Sequence, residues 1–316
     1  MGHACPAGFF VEKTVMNNAS TVNRRKMLVA LLSVVSNSVL VVMKLVVGTL
    51  IGSVSVISEA IHSGVDLLAA LIAFFSVRTS GRPADDEHPF GHGKYENLSG
   101  AVEAALIFVA AAWIVREAAH KLLCPGPVEM AGWGVAVMLI SATANWFVSR
   151  MLMKVGRETD SVALRADAWH LRTDVYTCLG VMIGLAVIMA GKLIRPGLNL
   201  MWVDPVVAIG VALLIVKTAW DLTAESIRDL LDARIAREEE EWIRNHVRLR
   251  KNVVRGFHGL RTRKAGAEHF IEFHLLVDKA MTVADSHRIA EELENEISER
   301  FNGAHVLIHV EPCDNS

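Results

Sequence analysis

Six long apolar runs constrain what this 316-residue chain can fold into more than any other feature of it. Crossing the hydrocarbon of a bilayer takes about 20 mostly apolar residues. The runs cover Met27–Leu50, Val54–Val77, Leu98–Leu122, Val128–Met153, Val162–Ala190 and Val203–Thr223. A soluble domain of this size would interrupt such runs with charge, yet 52% of the residues here are hydrophobic. From Ala224 onward the composition turns charged and mixed. The chain therefore divides into an N-terminal tail (1–23), a six-helix transmembrane domain (24–224) and a soluble C-terminal domain (225–316).

The first run follows Arg24, Arg25 and Lys26 and is long enough to span, so it reads as a retained helix rather than a cleaved signal. Basic residues set the orientation. Arg78, Arg82 and Lys94 follow the second span, and Arg150, Lys154, Arg157 and Arg165 surround the fourth-to-fifth connection. The opposite side offers only Lys121, Lys192 and Arg195. This bias places both termini and the C-terminal domain in the cytoplasm of a multi-pass inner-membrane protein. Cys5, Cys124, Cys178 and Cys313 show no CxxC spacing, which argues against a disulfide framework or a thiolate zinc cluster.

Ionisable groups inside a bilayer are costly and each needs a reason. The second span carries His62 and Asp66, and the fifth carries His170 and Asp174. Residues four apart lie on one helical face, so each span presents an imidazole above a carboxylate. At 1.5 Å per residue, Asp174 lies about 16 Å deep, His62 about 13 Å and Asp66 about 20 Å. Both couples thus bracket the midplane. Four nitrogen and oxygen donors suit tetrahedral Zn²⁺, whereas Mg²⁺ or Ca²⁺ would ask for an oxygen cage. Cobalt, cadmium, nickel and ferrous iron remain open. Each couple can also be read as an interhelical hydrogen bond that holds the bundle together. Glu59, Glu103, Asn37 and Asn145 fit interfacial or packing roles as well as ligation, and Lys44, near the end of its span, can snorkel to the interface.

Two further groups have metal-like composition. Asp85, His88 and His92 share a turn-rich loop with Pro89, Gly91 and Gly93 after the second span. In the C-terminal domain a helical stretch (Ala233–Arg250) precedes strands near Val253–Arg263 and Glu268–Asp278, a helix over Val283–Phe301 and a strand over His305–Glu311. The order αββαβ makes this a small α+β domain. In the second strand Ile271, Phe273, Leu275 and Val277 share one face and Glu272 and His274 the other. His258, His274, His287, His309 and Glu311 are its candidate metal ligands, although surface histidines on a polar strand face are common. No nucleophile–base constellation or phosphate-cradling loop points to an enzyme, and no basic-aromatic patch points to nucleic acid.

Taken in order, His62-x₃-Asp66, His88-Pro-Phe-Gly-His92-Gly-Lys94, His170-x₃-Asp174, His258-Gly-Leu-Arg-Thr-Arg and His309-Val-Glu311-Pro resemble the cation diffusion facilitators of the bacterial zinc-transporting type, from about Arg24 to Cys313. The resemblance implies a homodimer, metal/proton antiport and a metallochaperone-like cytoplasmic domain. It assigns His62, Asp66, His170 and Asp174 to the transport site between the second and fifth helices, and Asp85, His88 and His92 to a loop site. His258, His274, His287, His309 and Glu311 then form a tail site shared across the dimer. Zn²⁺ is the implied cargo and tail-site ion. Relatives often carry aspartate where Glu311 stands. Lys94 matches a lysine that bridges to an acid near the last span, here Asp229 or Asp232. Preference for Fe²⁺, Co²⁺ or Cd²⁺, organic-cation transport, and a membrane-anchored sensor without transport are the alternatives.

Overall fold

A computed structural model describes residues 6–51, 54–123, 132–194, 202–250, 252–301 and 304–313. Cys5, Cys124 and the expected start of the fourth span at Val128 lie outside them, as does the side chain of Glu59. Six long helices come first: α1 (Pro6–Ile51), α2 (Val54–Ser80), α3 (Lys94–Leu123), α4 (Gly132–Glu158), α5 (Val162–Ile194) and α6 (Val203–Leu230). Residues 6–23, expected as a separate tail, continue the helix of the first span. Among the described residues, α1, α2, α3, α4 and α6 each hold a stretch apolar enough to cross a membrane. The first half of α5 carries Arg165, Asp167, Arg172 and Asp174.

The helices pack so that α2 touches α1, α3 and α5, while α4 lies on α1 and α5, and α6 on α3 and α5. Small side chains allow the close approach that apolar helices need in lipid: Ala104, Ala111, Ala166 and Ala219 are all fully buried where α3, α5 and α6 meet. One carboxylate ties the bundle's end. Glu96 of α3 accepts hydrogen bonds from Lys26 Nζ of α1 at 2.9 Å, from Ser80 Oγ of α2 at 2.8 Å and from Ser161 Oγ ahead of α5. Lys44 does not snorkel; it is buried and donates to Ser63 Oγ at 2.7 Å.

The C-terminal domain follows as α7 (Arg237–Arg248), β1 (Gly256–Ala265), β2 (Glu268–Asp278), α8 (Val283–Arg300) and β3 (His305–Cys313). The expected αββαβ order is therefore present. Strand order is β1-β2-β3, with β1 antiparallel and β3 parallel to β2. Thr282 caps α8 by accepting from the Asp285 N–H at 3.1 Å. Glu238, Glu239 and Glu240 open α7 and Arg248 closes it, each complementing the helix dipole. As the alternation predicted, Ile271, Phe273, Leu275 and Val277 are buried against Ile243 of α7 and Leu293 and Ile297 of α8.

The hairpin between β1 and β2 joins the two domains. Its two-residue loop places Gly266 at φ +62°, a backbone that glycine adopts without strain. The Gly266 N–H donates to Asn97 Oδ1 at 2.6 Å, and Asn97 Nδ2 donates to Asp229 Oδ2 of α6 at 3.0 Å. Contact is backbone to backbone here: a Cβ on Gly93 would lie 2.2 Å from the Ala265 carbonyl oxygen. Gly93→Ala must therefore lift the hairpin tip from α3. Losing one such hydrogen bond costs about 1 kcal/mol net, so amide exchange at Gly266 should rise several-fold while β2 core amides hold. Unchanged exchange at Gly266 would contradict this docking.

Candidate metal centres

In the membrane domain, α2 and α5 are neighbours, and the same spacing repeated on both helices produces a crossed arrangement. His170 Nε2 of α5 lies 3.1 Å from Asp66 Oδ1 of α2. His62 Nε2 of α2 lies 3.8 Å from Asp174 Oδ1 of α5. Two helices that run in opposite directions pair the first member of each couple with the second of the other. His62, Asp66 and Asp174 each offer a ligand atom within 4.8 Å of the other two, and His170 joins them through Asp66. The two ends differ in access: the side chains of His62 and Asp174 are 54% and 21% exposed, those of His170 and Asp66 only 7% and 4%.

Asn145, for which the sequence leaves packing and ligation both open, is a further contributor. It lies on α4, is buried, and its Nδ2 donates to Asp174 Oδ2 at 3.2 Å. A lone asparagine in an apolar run gives no periodic signal; only the packing of α4 on α5 reveals it. By holding one carboxylate oxygen, it leaves the other aimed at His62, as outer partners do for metal-ligating groups.

The loop group also gathers. His88 Nδ1 and His92 Nε2 each lie 3.4 Å from an oxygen of Asp85. Asp85 Oδ1 caps the turn by accepting from the N–H groups of His88 at 2.7 Å and Glu87 at 3.1 Å. The His88 N–H foremost, with His92 and His88 nearby, holds the Asp85 carboxyl below the usual range. Three donors around one turn leave room for solvent or a fourth ligand.

The tail group is organised by sheet register. His258, His274 and His309 stand opposite one another on β1, β2 and β3. Glu311 sits beneath them: His274 Nδ1 is 2.8 Å away, His258 Nε2 3.5 Å and His309 Nε2 3.7 Å. Hydrogen bonding to His274 holds the Glu311 carboxyl low. A bulge turns His258 toward the row, since register shifts between His258 and Arg261 around Gly259 at φ +65°. His305, on β3 with His309, stacks on Phe270 instead. His287 stands apart from the row in this chain, exposed on α8. Lys94 Nζ pairs with Asp232 Oδ1 at 2.9 Å, while Asp229 serves Asn97.

These features define a multi-pass membrane protein with imidazoles and carboxylates gathered between two of its helices and a small α+β domain after them. The model of the cation efflux transmembrane domain matches residues 30–231, and that of the cation efflux protein cytoplasmic domain matches residues 235–313. A cation-efflux pump, FieF, from Yersinia pestis is 33% identical over 276 residues, 87% of this chain and 89% of that protein. An uncharacterized transporter from Synechocystis is 37% identical over 263 residues, 83% of each chain. The metal-bound C-terminal domain of the CzcD transporter from Thermotoga maritima is 32% identical, covers 26% of this chain and 98% of that one, and gives a TM-score of 0.23. The chain belongs to the cation diffusion facilitator family and is a cation-efflux transporter.

Both lowered carboxylates carry a pH prediction. A carboxyl lowered on folding adds stability that is complete above its unfolded pKa and is lost as pH falls through the folded one. Asp85 and Glu311 in the full-length chain should titrate below other exposed carboxylates by carbon-13 NMR. His274→Ala should return Glu311 toward the ordinary value and leave Asp85 unmoved. Ordinary titration of both in the unaltered protein would contradict the geometry.

Proposed function

We propose that this transporter exports a divalent transition metal, zinc foremost, from the bacterial cytoplasm across the inner membrane in exchange for protons. The carrying observation is the crossed His62–Asp174 and His170–Asp66 arrangement between α2 and α5. Two imidazoles and two carboxylates supply the four donors of a tetrahedral zinc site and too little oxygen for Mg²⁺ or Ca²⁺. Manganese leans toward oxygen donors and fits less well. Fe²⁺, Co²⁺ and Cd²⁺ are the competing cargoes.

Metal requires neutral imidazole and ionised carboxylate, so metal and protons compete for the same lone pairs. In an inward-facing form, cytoplasmic metal displaces protons from the site. In an outward-facing form, protons from outside displace the metal. A proton gradient then drives export as the site alternates between faces. His62 and His170 suit this exchange because unperturbed imidazole titrates near pH ~6.5. The basic loops favour cytoplasmic N- and C-termini, which puts the loop and tail groups where cytosolic metal can reach them.

The working unit in this proposal is a homodimer. Within one chain His258, His274, His309 and Glu311 form the row and His287 does not reach it, which fits His287 serving a second copy. Metal bound there tightens the pair of tails and, through the hairpin docked on Asn97, biases the membrane helices. Such regulation requires that metal bind the tail more tightly in one membrane form than in the other.

His170→Ala or Asp174→Ala should lower metal-dependent proton flux in proteoliposomes at least about 100-fold, beyond what outer-partner losses alone cost. The metal panel Zn²⁺, Cd²⁺, Co²⁺, Fe²⁺ and Mn²⁺, with internal pH followed, ranks the cargoes. Normal flux in both variants would remove these residues from the mechanism. Metal binding without uptake by the unaltered protein would mark a sensor, and uptake of an organic cation without metal would mark a different carrier.

A further inference from the structure

Among the described residues of the membrane helices, two buried carboxylates besides Glu96 lie outside the four-donor group. Glu103 of α3 and Asp167 of α5 are both 0% exposed and close enough for their charges to act on one another. Ser99 Oγ donates to Glu103 Oε1 at 3.2 Å, but among the described residues Glu103 Oε2 has no hydrogen-bond partner. Neither oxygen of Asp167 has one either. Ser33 of α1 faces Asp167, yet it completes no hydrogen bond with either oxygen, and its own oxygen accepts from Asn37 Nδ2 at 3.5 Å. The adjoining part of α6 is apolar, with Ile215, Ala219 and Leu222. Among the described residues, the titratable groups facing Asp167 are Glu103, His170 and Asp66, and the one facing Glu103 is Asp167.

A carboxylate buried without a donor or a counter-ion is far costlier than the neutral acid. Their chain neighbours Ala104 and Ala166 pack in one cluster where α3 meets α5, and two such groups so near cannot both remain ionised cheaply. Something positive must therefore reside there, and the donor set decides what. A divalent ion asks for at least four ligands, whereas this pair presents three unpartnered oxygens with no imidazole or thiol completing a set. A proton needs only one oxygen.

We propose that Glu103 and Asp167 form a proton-binding carboxyl pair, distinct from the metal ligands, that gives up one proton when metal arrives at the neighbouring site. This rests on the exchange reading above and adds a carrier to it. The cation's charge acts on Asp167 across one helical turn of α5. The O–H bond of the acid breaks, its electron pair stays on the carboxylate oxygen, and the proton passes to water. When metal leaves, the pair takes up a proton again. Proton and metal are then coupled by charge, with no shared ligand atom required.

The test counts protons released as Zn²⁺ binds to purified full-length protein in weakly buffered detergent solution. Compared are the unaltered chain, Asp167→Asn alone and Glu103→Gln with Asp167→Asn. Signals from the loop and tail groups are common to all three. The expected result is one proton fewer per chain in the variants, with the number of zinc ions bound unchanged. The single variant carries the test if the double one does not fold. Equal proton release in all three would overturn the proposal, and so would a lost zinc ion, which would make the pair metal ligands. No release from the unaltered protein, together with zinc uptake that leaves vesicle pH unmoved, would instead remove the exchange reading itself.

Discussion

A bilayer gives an unpaired charge nowhere to go, and this constraint shapes the membrane half of the protein. His62, Asp66, His170 and Asp174 are tolerable there because each imidazole meets a carboxylate from the opposite helix. Charges that satisfy one another across a helix pair also fix that pair's register. The residues proposed to hold the cargo are thus the same ones that hold α2 against α5. Protonation or metal binding alters both functions at once. A site of this kind cannot change occupancy without changing the forces between its two helices, which alternating access needs.

The link to the tail is built from ordinary parts placed close together. Glu96 gathers the ends of α1, α2 and the segment before α5, and the adjacent Asn97 reaches both the β1–β2 hairpin and α6. Lys94, one turn earlier, pairs with Asp232, which Arg263 of β1 also approaches at 3.4 Å. The start of α3 is therefore a junction where membrane helices, loop group and sheet meet. Because β2 runs from this junction to His274 in the row beside Glu311, one stiff hairpin spans the distance between the loop and tail groups.

Much of this architecture was legible in sequence because it obeys a strong period. Apolar length marked the spans, and two-residue alternation marked β2, whose Ile271, Phe273, Leu275 and Val277 are buried as expected. Four-residue spacing put His62 above Asp66, but whether that face met α5 depended on tertiary packing. Single residues without a periodic partner were opaque for the same reason. Asn145 and Asn97 acquire meaning only from what packs against them, and Lys44 was misjudged because its partner Ser63 lies on another helix. Helix ends were also hard to place, since α6 continues through a charged segment to Leu230. The choice between Asp229 and Asp232 for Lys94 required coordinates.

Zinc K-edge absorption on a chain whose loop and tail ligands are replaced by alanine addresses the central claim most directly. The expected result is one ion per chain with four nitrogen and oxygen neighbours at about 2.0–2.2 Å and no sulfur, a signal lost on further replacing Asp66 and His170. A six-oxygen shell, or no bound zinc while transport persists, would contradict the proposed intramembrane centre.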